Sequence, residues 1–380
     1  MIHSNPVLVA DGMLTVDRKF HTGMLNYAEH LKYRIITVNP LARASGQIMD
    51  GVTVPLVKLP YAVEPVQCDL RMNLEGSEVK RLRQVIAGSA LVYGNGFGAA
   101  KIARELAVPY IPMIEYDLQT QITVTTAGVR NLAKRAVRTA RCLLDYTTVQ
   151  LSDISRAHSV HCNGYPIFDV ASRYNPNTLL YLDSRMSRDM IISDEELRQR
   201  CYNRPGRPLR LLYSGRYERM KGADDAVMVA LACFQQGLDI EMHCYGQGSL
   251  KPSMLKLASA RADRIHIHDA VPYPQLVQIA RTFDLFVCCH IQNDPSCTYL
   301  ESIGAGLPIA GYANKMWLGL LKASGAGVAS PLHRHRMLAA LIRDSLGQLS
   351  EMSHRAVAFA RAHNFEREFA RRIAALNDAI

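Results

Sequence analysis

The stretch that decides the fold runs from Cys288 to Lys315 and reads CCHIQNDPSCTYLESIGAGLPIAGYANK. An apolar run ends at His290, a polar loop with a proline follows, and a helix of small residues closes at Gly306 before a second apolar run. A strand that leads through a loop into a helix and then into another strand is the repeating unit of a parallel sheet. A single carboxylate, Glu301, lies within the small-residue helix and requires an explanation.

The same alternation of β-branched runs and helical patterns extends along nearly the whole chain. It predicts an α/β protein in which two Rossmann-like units face a central cleft. The predicted domains are residues 1–183, the first unit; 184–208, a polar linker; 209–352, the second unit; and 353–380, a helical tail that packs back across either unit. Ligands of open α/β sheets lie beyond the carboxyl ends of the strands, so site residues are expected in the loops between strands and helices.

The composition is that of an ordinary soluble protein, with 48% hydrophobic and 21% charged residues in a chain of 380. A formal net charge of +10 favours anionic partners such as nucleotide phosphates, nucleic acid or an acidic membrane face. The nine cysteines contain no C-x-x-C pair and therefore indicate neither a zinc site nor a disulfide framework. The start of the chain lacks the pattern of a signal peptide, and no apolar run approaches the roughly 18 residues of a membrane span.

Two cations follow the first strand of the second unit, in LLYSGRYERMKGADDAV from Leu211 to Val227. Gly215 ends the strand, Arg216 follows it, and Lys221 lies just before a helix. A guanidinium and an ammonium beside the amino terminus of a helix form a site for a diphosphate. Ordinary solvated loop charges are the alternative interpretation of the same residues.

The loop of the opening stretch also suits an anion. Its backbone amides and the hydroxyls of Ser296 and Thr298 lie before or on the first turn of a helix, where N–H groups lack intrahelical partners. A carboxylate at Glu301 would repel a phosphate. Its expected partners are therefore neutral hydroxyl groups, such as those of a ribose.

Four motifs of the second unit occur in a specific order: strand-Gly-Arg-x4-Lys-Gly, the Gly-x-Gly of YGQGSL, HDAVPYPQL, and NDPSCTYLESIGAGLPIAG. This order resembles the carboxyl-terminal half of glycosyltransferase family 4, the retaining nucleotide-sugar enzymes of the GT-B fold. The resemblance covers residues 209–327. The amino-terminal half is similar to that family in its strand-helix rhythm and in the segment KFHTGMLNYAEHL.

The resemblance implies roles for individual residues. Arg216 and Lys221 match the pair that holds the diphosphate of the donor. Glu301 matches the second acid of a motif in which seven residues separate two glutamates, and that acid grips the ribose. The first acid of the motif falls at Asn293, where this sequence departs from the pattern, so either Asn293 or Asp294 is expected to contact the donor sugar.

Further contacts with the donor and the acceptor are implied by position. The segment from His268 to Tyr273 matches the region that receives the nucleotide base. The residues expected around the donor are Gly215, Gly246, His268, Val271, Ser296, Cys297 and Thr298. Where the family often carries a histidine, this chain has MIEYDL, so that role is not transferred. The residues expected on the acceptor side are His21, Gly23, Glu115 and Asp117, and a purely structural role for the histidine stays open.

Residues 128–144 predict a cationic helix. Its basic residues recur at steps of four, four and three: Arg130, Lys134, Arg138 and Arg141. They share one face of the helix because these steps follow its period. Such a face suits an anionic membrane surface or a lipid-diphosphate acceptor. A solvated face of an ordinary domain helix is the alternative.

These features predict a retaining glycosyltransferase of the hexosyltransferase type, acting in the synthesis of a surface polysaccharide or glycolipid. It would move a sugar from a nucleotide-diphosphate sugar to a glycan or lipid-linked acceptor, in the cytoplasm or on the inner face of the membrane. No cofactor and no metal ion is expected, since His266 and His268 share a strand face but the sequence places no third ligand.

Two alternatives to a glycosyltransferase stay open. One is an epimerase or hydrolase of the same fold that acts on the nucleotide-sugar link. The other is a basic nucleic-acid-binding protein, which needs a basic stripe interleaved with aromatic residues. Aromatic residues make up only 7% of the chain and the basic ones are spread over both halves, so no nucleic-acid partner is expected.

Overall fold

The computed structural model describes residues 1–42, 44–48, 50–69 and 72–380, and both halves of the chain contain parallel strands. The strands, in chain order, are β1 (Leu8–Ala10), β2 (Met13–Asp17), β3 (Ile36–Pro40), β4 (Gly51–Pro55), β5 (Ala62–Val66), β6 (Val92–Tyr93), β7 (Tyr110–Ile111), β8 (Met113–Ile114), β9 (Val160–Asn163), β10 (Thr178–Tyr181), β11 (Leu209–Ser214), β12 (Ile240–Tyr245), β13 (Ile265–His268), β14 (Leu285–Cys288), β15 (Ile309–Tyr312) and β16 (Gly327–Ser330).

Helices separate most of these strands. They are α1 (Arg18–His30), α2 (Gly76–Ala87), α3 (Ala99–Glu105), α4 (Leu118–Thr126), α5 (Leu132–Asp145), α6 (Leu151–Arg156), α7 (Tyr165–Ala171), α8 (Asp194–Tyr202), α9 (Ala223–Gln235), α10 (Lys251–Ala258), α11 (Tyr273–Ala280), α12 (Cys297–Gly304), α13 (Lys315–Ser324), α14 (His335–Asp344), α15 (Leu349–Ala362) and α16 (Phe365–Asp378). A π-helical turn over Tyr146–Gln150 joins α5 to α6. Short 3₁₀ turns lie at Ser45–Gln47, Leu56–Lys58, Arg188–Met190, Arg219–Lys221, Ser259–Arg261 and Leu346–Gln348.

The carboxyl-terminal half is built on one parallel sheet of six strands in the order β13-β12-β11-β14-β15-β16. This is the doubly wound order of a Rossmann unit, in which the chain reverses its direction of winding between the first and fourth strands. The reversal leaves a crevice beyond the carboxyl ends of β11 and β14. The loops that follow these two strands carry the two cations and the opening stretch.

Helices cover both faces of this sheet, as its apolar strands require. One face packs against α9, α10 and α14 through buried residues such as Val227, Met254 and Leu338. The other face packs against α8, α12, α13 and α15, with Trp317 fully buried among them.

The amino-terminal half has a parallel sheet assembled from short strands. The pairs β3–β5 and β6–β7 are parallel, and Ile2 bridges the two pairs by contacting Val38 and Gly94. The strands β8, β9 and β10 form a further parallel sheet. The run from Val7 to Asp11, which the alternation predicts as one more strand of a parallel sheet, instead supplies β1, which pairs antiparallel with β2 in a three-stranded antiparallel sheet of β1, β2 and β4.

The polar segment predicted to be a linker, residues 184–208, contains the helix α8. Ser193 and Glu196 form a capping box at its start, which explains why a helix begins in so polar a stretch. Arg200 of this helix is buried and donates hydrogen bonds to the carbonyl oxygens of Ala305 and Gly306, just after α12 ends. The segment is thus tied to the carboxyl-terminal half, and the division of the chain into the four predicted ranges stays a prediction.

The tail crosses back, as predicted. Its first helix, α15, packs on the carboxyl-terminal half through Ala356 and Val357. Asn364 then caps a new helix, α16, whose residues Phe369 and Ile373 belong to the core of the amino-terminal half. The chain therefore passes between the halves twice. Among the described residues, no helix combines the length and the apolar character that a membrane span needs.

Two glycines flank α9, and substituting each of them tests how closely the backbone packs at Gly222. Gly222 and Gly237 both have a left-handed backbone, with φ of +59° and +78°. A Cβ at Gly222 would lie 1.9 Å from the carbonyl oxygen of Cys289, whereas a Cβ at Gly237 would meet no atom within 4 Å. We expect Gly222→Ala to lower the free energy of unfolding by about 3 kcal/mol or more, and Gly237→Ala by only the roughly 1–2 kcal/mol of left-handed strain. Urea denaturation of both variants measures the difference, and equal losses would contradict the steric argument.

Candidate functional site

The candidate site is the crevice where the winding of the carboxyl-terminal sheet reverses. The loop after β11 and the loop after β14 touch at Gly222, whose Cα lies against Cys289. The loop after β12 is equally close to the first, because a Cβ at Gly246 would lie 1.9 Å from the carbonyl oxygen of Gly215. Three strand-to-helix loops therefore converge, and the predicted donor residues Gly215 and Gly246 are among the backbone positions that allow it.

A buried ion pair links two of these loops. The ammonium of Lys221 lies 2.7 Å from Oδ2 of Asp294, and the two side chains are 8% and 15% exposed. The other carboxylate oxygen of Asp294 is buried and has no hydrogen-bond partner among the described residues. The two residues that the sequence assigned to separate roles in the site thus contact each other directly.

Arg216 is the unpaired cation of the crevice. Its side chain is exposed, it forms no ion pair with any described residue, and its one hydrogen-bond contact is the sulfur of Met220. Beside it, His290 is buried, and burial together with the charges of Lys221 and Arg216 lowers the pKa of His290 well below its ordinary value. The crevice therefore holds excess positive charge and a neutral imidazole.

Glu301 is held by a cation that the sequence did not point to. Nε and Nη2 of Arg185 both donate to Oε1 of Glu301, at 3.0 and 2.6 Å, and the guanidinium lies 4.2 Å from the ring centre of Tyr273. Burial raises the pKa of Glu301 above its ordinary value, although Arg185 partly offsets it. Within the described residues, Oε2 of Glu301 has no hydrogen-bond partner and remains available to a ligand hydroxyl.

The start of α12 presents small polar groups to the same crevice. Ser296 is its N-cap without a side-chain capping bond, and its hydroxyl lies 3.2 Å from the hydroxyl of Thr298. Burial, with the nearby charges of Asp183 and Glu301, raises the pKa of the Cys297 thiol to about 12. Cys297 is therefore neutral near pH 7 and is not an activated nucleophile.

Tyr217 supports the start of the segment from His268 to Tyr273, which is predicted to bind the base. The hydroxyl of Tyr217 lies 2.7 Å from the carbonyl oxygens of both Cys244 and His268. The imidazole of His268 stacks on Tyr245 with ring centres 4.5 Å apart, and Val271 is half-buried farther along the loop. The loop that follows β13 is thus held against the loop that follows β11.

The amino-terminal half reaches into the crevice through a buried amide. The side-chain nitrogen of Asn293 donates to Oδ2 of Asp117 at 3.0 Å and to Oε1 of Gln119 at 3.1 Å. Its oxygen accepts the backbone N–H of Lys315 at 3.0 Å. Asp117 also caps α4 by accepting the N–H of Thr120. A predicted donor residue, Asn293, and a predicted acceptor residue, Asp117, therefore form one contact between the halves.

Glu115 is one of two carboxylates, with Asp153, that line a cavity in the amino-terminal half. This cavity has a volume of about 500 Å³ and is lined also by the glycine-rich segment from Asn95 to Ala100 and by Tyr116. Desolvation raises the pKa of Glu115 above its ordinary value, and a hydrogen bond from Asn163 offsets only part of this. The lining residues all belong to this half, and Tyr116 among them lies near enough to Asp294 and Arg216 for their charges to influence its pKa.

Of the residues near the first helix, Lys19 is closer to the crevice than the predicted His21. The ammonium of Lys19 lies 3.5 Å from Asp183, and its charge influences the pKa values of Cys297 and Glu301. His21 instead contacts the hydroxyl of Tyr61 at 2.7 Å, and Gly23 has open space beside its Cα. Lys19 was missed because a lone lysine at a helix start carries no motif.

The cationic helix is α5, and it is more exposed than a domain helix usually is. Only Cys142 of its fourteen residues is buried. Its apolar side chains also point outward, with exposures of 79% for Leu132, 67% for Val137 and 59% for Leu144. At 100° per residue, Val137 and Leu144 lie on one flank of the helix beside its basic residues, whereas Leu132 lies on a different flank. The basic side chains are therefore accompanied by exposed apolar ones that do not form a single stripe.

Solved glycosyltransferase structures share the fold that surrounds this site. HepE from Anabaena in complex with UDP aligns over 95% of this chain and 96% of its own, with 12% identity and a TM-score of 0.65. A glycosyltransferase from Rickettsia africae aligns over 99% of both chains, with 11% identity and a TM-score of 0.61. Sucrose-phosphate synthase from Thermosynechococcus elongatus aligns over 100% of this chain and 98% of its own, with 12% identity and a TM-score of 0.60.

At these identities the likeness shows the fold alone, and the predicted GT-B architecture is confirmed. No family model matches the sequence, and no curated protein matches it. The narrower assignment to glycosyltransferase family 4 stays a prediction.

The contacts of Asn293 explain why this position carries an amide and not a carboxylate. Asn293→Asp removes a donor and brings a second carboxylate to about 3 Å from that of Asp117. We expect this variant to lose about 2 kcal/mol of stability, which corresponds to a melting temperature roughly 4–8 °C lower. Melting curves of the variant, of Asp117→Asn and of the double variant form a thermodynamic cycle.

In the double variant the acid and the amide have exchanged places, and the hydrogen bond between them can form in the opposite sense. The double variant should therefore be more stable than the sum of the two single losses predicts. Strict additivity would show that the contact between Asn293 and Asp117 carries no coupling.

Proposed function

We propose that this protein is a glycosyltransferase that takes a sugar from a nucleotide-diphosphate sugar. The observation that carries the proposal is the unpaired guanidinium of Arg216 in a crevice that also contains Lys221 and the start of α12. A diphosphate is the ligand with the charge and the oxygen atoms to satisfy all three groups. HepE, which shares the fold, was solved with UDP, so a uridine nucleotide is the first ligand to test.

Binding of the diphosphate would change the ion pair between Lys221 and Asp294. The ammonium has three donors and, among the described residues, one acceptor at 2.7 Å, so it can turn part of its charge toward a phosphate. Asp294 would then expose a carboxylate oxygen to the sugar that the diphosphate carries. In this proposal Asp294 contacts the sugar, since Asn293 is already committed to Asp117 and Gln119.

The ribose is assigned to Glu301. One oxygen of its carboxylate is engaged by Arg185, and the second can accept hydrogen bonds from neutral hydroxyls. Arg185 neutralises the charge that would otherwise repel the nearby diphosphate. The base would lie next to His268 and Val271, in the loop held by Tyr217.

The chemical step needs charge stabilisation more than a covalent catalyst. As the glycosidic bond breaks, negative charge grows on the leaving diphosphate, where Arg216, Lys221 and the amides of α12 stabilise it. The cleft orients donor and acceptor and excludes water that would otherwise hydrolyse the donor. Cys297 is not an activated nucleophile, so attack of the acceptor on the same face of the sugar, with retention, is the route that we propose.

Glu115 is assigned to the acceptor. Its raised pKa and its position beside the cavity suit a carboxylate that accepts a proton from an acceptor hydroxyl. The same placement favours a second candidate function, hydrolysis or epimerisation of the nucleotide-sugar link, because a carboxylate in this position also activates water. Incubating the protein with UDP-sugars in the absence of an acceptor separates the two, since only the second function releases UDP rapidly.

We assign the role of acceptor to a glycan or a lipid-linked molecule. We assign α5 to contact with a membrane surface. Its exposed apolar side chains suit the acyl chains at a membrane interface, and its basic residues suit the anionic phosphates of the lipid headgroups. This assignment would place the enzyme at the membrane that supplies its acceptor, for the synthesis of a surface polysaccharide or glycolipid.

Removal of Arg216 tests the donor site. We expect Arg216→Ala to weaken binding of UDP about 10- to 100-fold, because a hydrogen bond between charged groups contributes roughly 1.5–3 kcal/mol. Arg219→Ala is the matched control, since Arg219 is an exposed arginine one turn away. Isothermal titration with UDP, GDP, ADP and CMP measures the affinities and identifies the base. Unchanged affinity in Arg216→Ala, or binding of nucleic acid in place of any nucleotide, would contradict the proposed donor site.

Charge removal on α5 tests the membrane assignment. We expect Arg130→Gln with Lys134→Gln to weaken binding to vesicles of anionic phospholipid about 30-fold, since each cation near such a surface contributes roughly 1 kcal/mol. Lys256→Gln with Lys322→Gln removes the same charge from exposed positions of the other half and should leave binding unchanged. Co-sedimentation with anionic and with neutral vesicles measures the effect. Equal losses in the two double variants would mean that net charge, and not α5, drives association.

A further inference from the structure

A histidine-rich cluster lies at one edge of the six-stranded sheet, away from the crevice residues Arg216 and Lys221. The strands β12 and β13 form this end, and their pairing is parallel, with His243 opposite His266. Glu241 lies two residues before His243 and so projects from the same face of β12. The alternate residues Ile240 and Met242 are buried in the core on the other face, which leaves the cluster half-exposed.

The three side chains bring their ligand atoms together. Nε2 of His243 lies 2.9 Å from Oε1 of Glu241, and Nε2 of His266 lies 3.8 Å from the same oxygen. One ligand atom from each residue lies within 4.8 Å of the other two. Two ligands of a tetrahedral zinc ion are about 3.4 Å apart, given metal–ligand bonds of about 2.1 Å. The cluster therefore needs only small side-chain rotations to surround an ion.

The surroundings would orient the ligands. Nδ1 of His243 lies 3.0 Å from Nε2 of His268, so an N–H at Nδ1 can donate to it and leave Nε2 of His243 for a metal. Phe283 packs edge-on against His243 with ring centres 5.3 Å apart. Arg210 lies 3.8 Å from Oε2 of Glu241, the oxygen that is not directed at the histidines. A hydrogen-bonded partner for a ligand histidine is the usual support of a metal site.

We propose that Glu241, His243 and His266 bind one divalent transition-metal ion, with zinc as the principal candidate. Two imidazoles and one carboxylate form a ligand set typical of zinc and of other late first-row metals, and water completes the coordination. Magnesium prefers oxygen ligands and does not match this set. The ion would join the two end strands of the sheet and would hold His268, through His243, at the start of the loop 268–273. The inference does not depend on the proposed transferase activity.

The competing explanation is a chain of hydrogen bonds from Glu241 through His243 to His268, without an ion. His266 separates the two explanations, because it packs its ring against His243 but forms no hydrogen bond in that chain within the described residues. His266→Gln should therefore weaken metal binding while the fold and the hydrogen bonds persist. His333→Gln is the matched control, since His333 forms a pair with Asp225 at 2.9 Å and the described residues place no third ligand beside it.

The experiment is calorimetric titration of the chelator-treated, desalted protein with Zn²⁺, and separately with Ni²⁺ and Mg²⁺, near neutral pH. We expect one equivalent of Zn²⁺ to bind to the wild type and to His333→Gln. Affinity should fall at least about tenfold in His266→Gln, His243→Gln and Glu241→Gln. Thermal unfolding should shift upward with Zn²⁺ in the wild type and not in His266→Gln, since binding stabilises the folded state.

The nine cysteines are the other groups that attract zinc. Absorption spectra of the Co²⁺-loaded protein distinguish nitrogen and oxygen ligands from thiolates, because only thiolates add an intense sulfur-to-cobalt charge-transfer band. A thiolate spectrum, or equal Zn²⁺ affinity in the wild type and in His266→Gln, would overturn the proposal. Circular dichroism of each variant confirms that a lost site does not reflect a lost fold.

Discussion

The ion pair between Lys221 and Asp294 is the interaction on which the crevice depends. It connects the loops after β11 and β14, the two strands between which the sheet reverses its winding. Breaking one partner of a buried pair costs about 3–5 kcal/mol because the other charge is left unsolvated. The pair therefore holds the loops together while Arg216, just outside it, stays unpaired. Gly222 makes the same approach possible in the backbone, since any side chain there would collide with Cys289.

The amide of Asn293 has a physical reason on the opposite side of the cleft. An acid at this position would face the carboxylate of Asp117, which already accepts the backbone N–H of Thr120 and lies 3.4 Å from the ammonium of Lys315. Two carboxylates about 3 Å apart cannot both stay ionised without a large cost in free energy. An amide instead donates to Asp117 and accepts from the backbone of Lys315. Asn293 thus joins the amino-terminal half to the carboxyl-terminal half.

The sequence predicts most of the carboxyl-terminal half, because β14 is a continuous apolar run, β12 and β13 alternate apolar and polar residues, and the loop after β11 carries two glycines and the cations Arg216 and Lys221. It predicts less of the amino-terminal half, where β6, β7 and β8 have only two residues each and give almost no periodic signal. Arg185, the partner of Glu301, falls in a stretch that reads as a linker, and only the path of the chain brings the two together. The cluster of Glu241, His243 and His266 depends on the register between two strands, which spacing along the chain does not contain.

The chain passes between the halves after β10 and again between α15 and α16, and these two crossings run side by side. The segment after β10 and the break between α15 and α16 are joined by the N–H of Phe365, which donates to the carbonyl of Met186 at 2.9 Å. Glu368, buried in α16, accepts the N–H of Leu182. Arg185 lies within this joined strap, one residue from Met186. Because both crossings lie here, a rotation of one half against the other would bend the chain next to Arg185, and it would therefore act directly on the contact between Arg185 and Glu301.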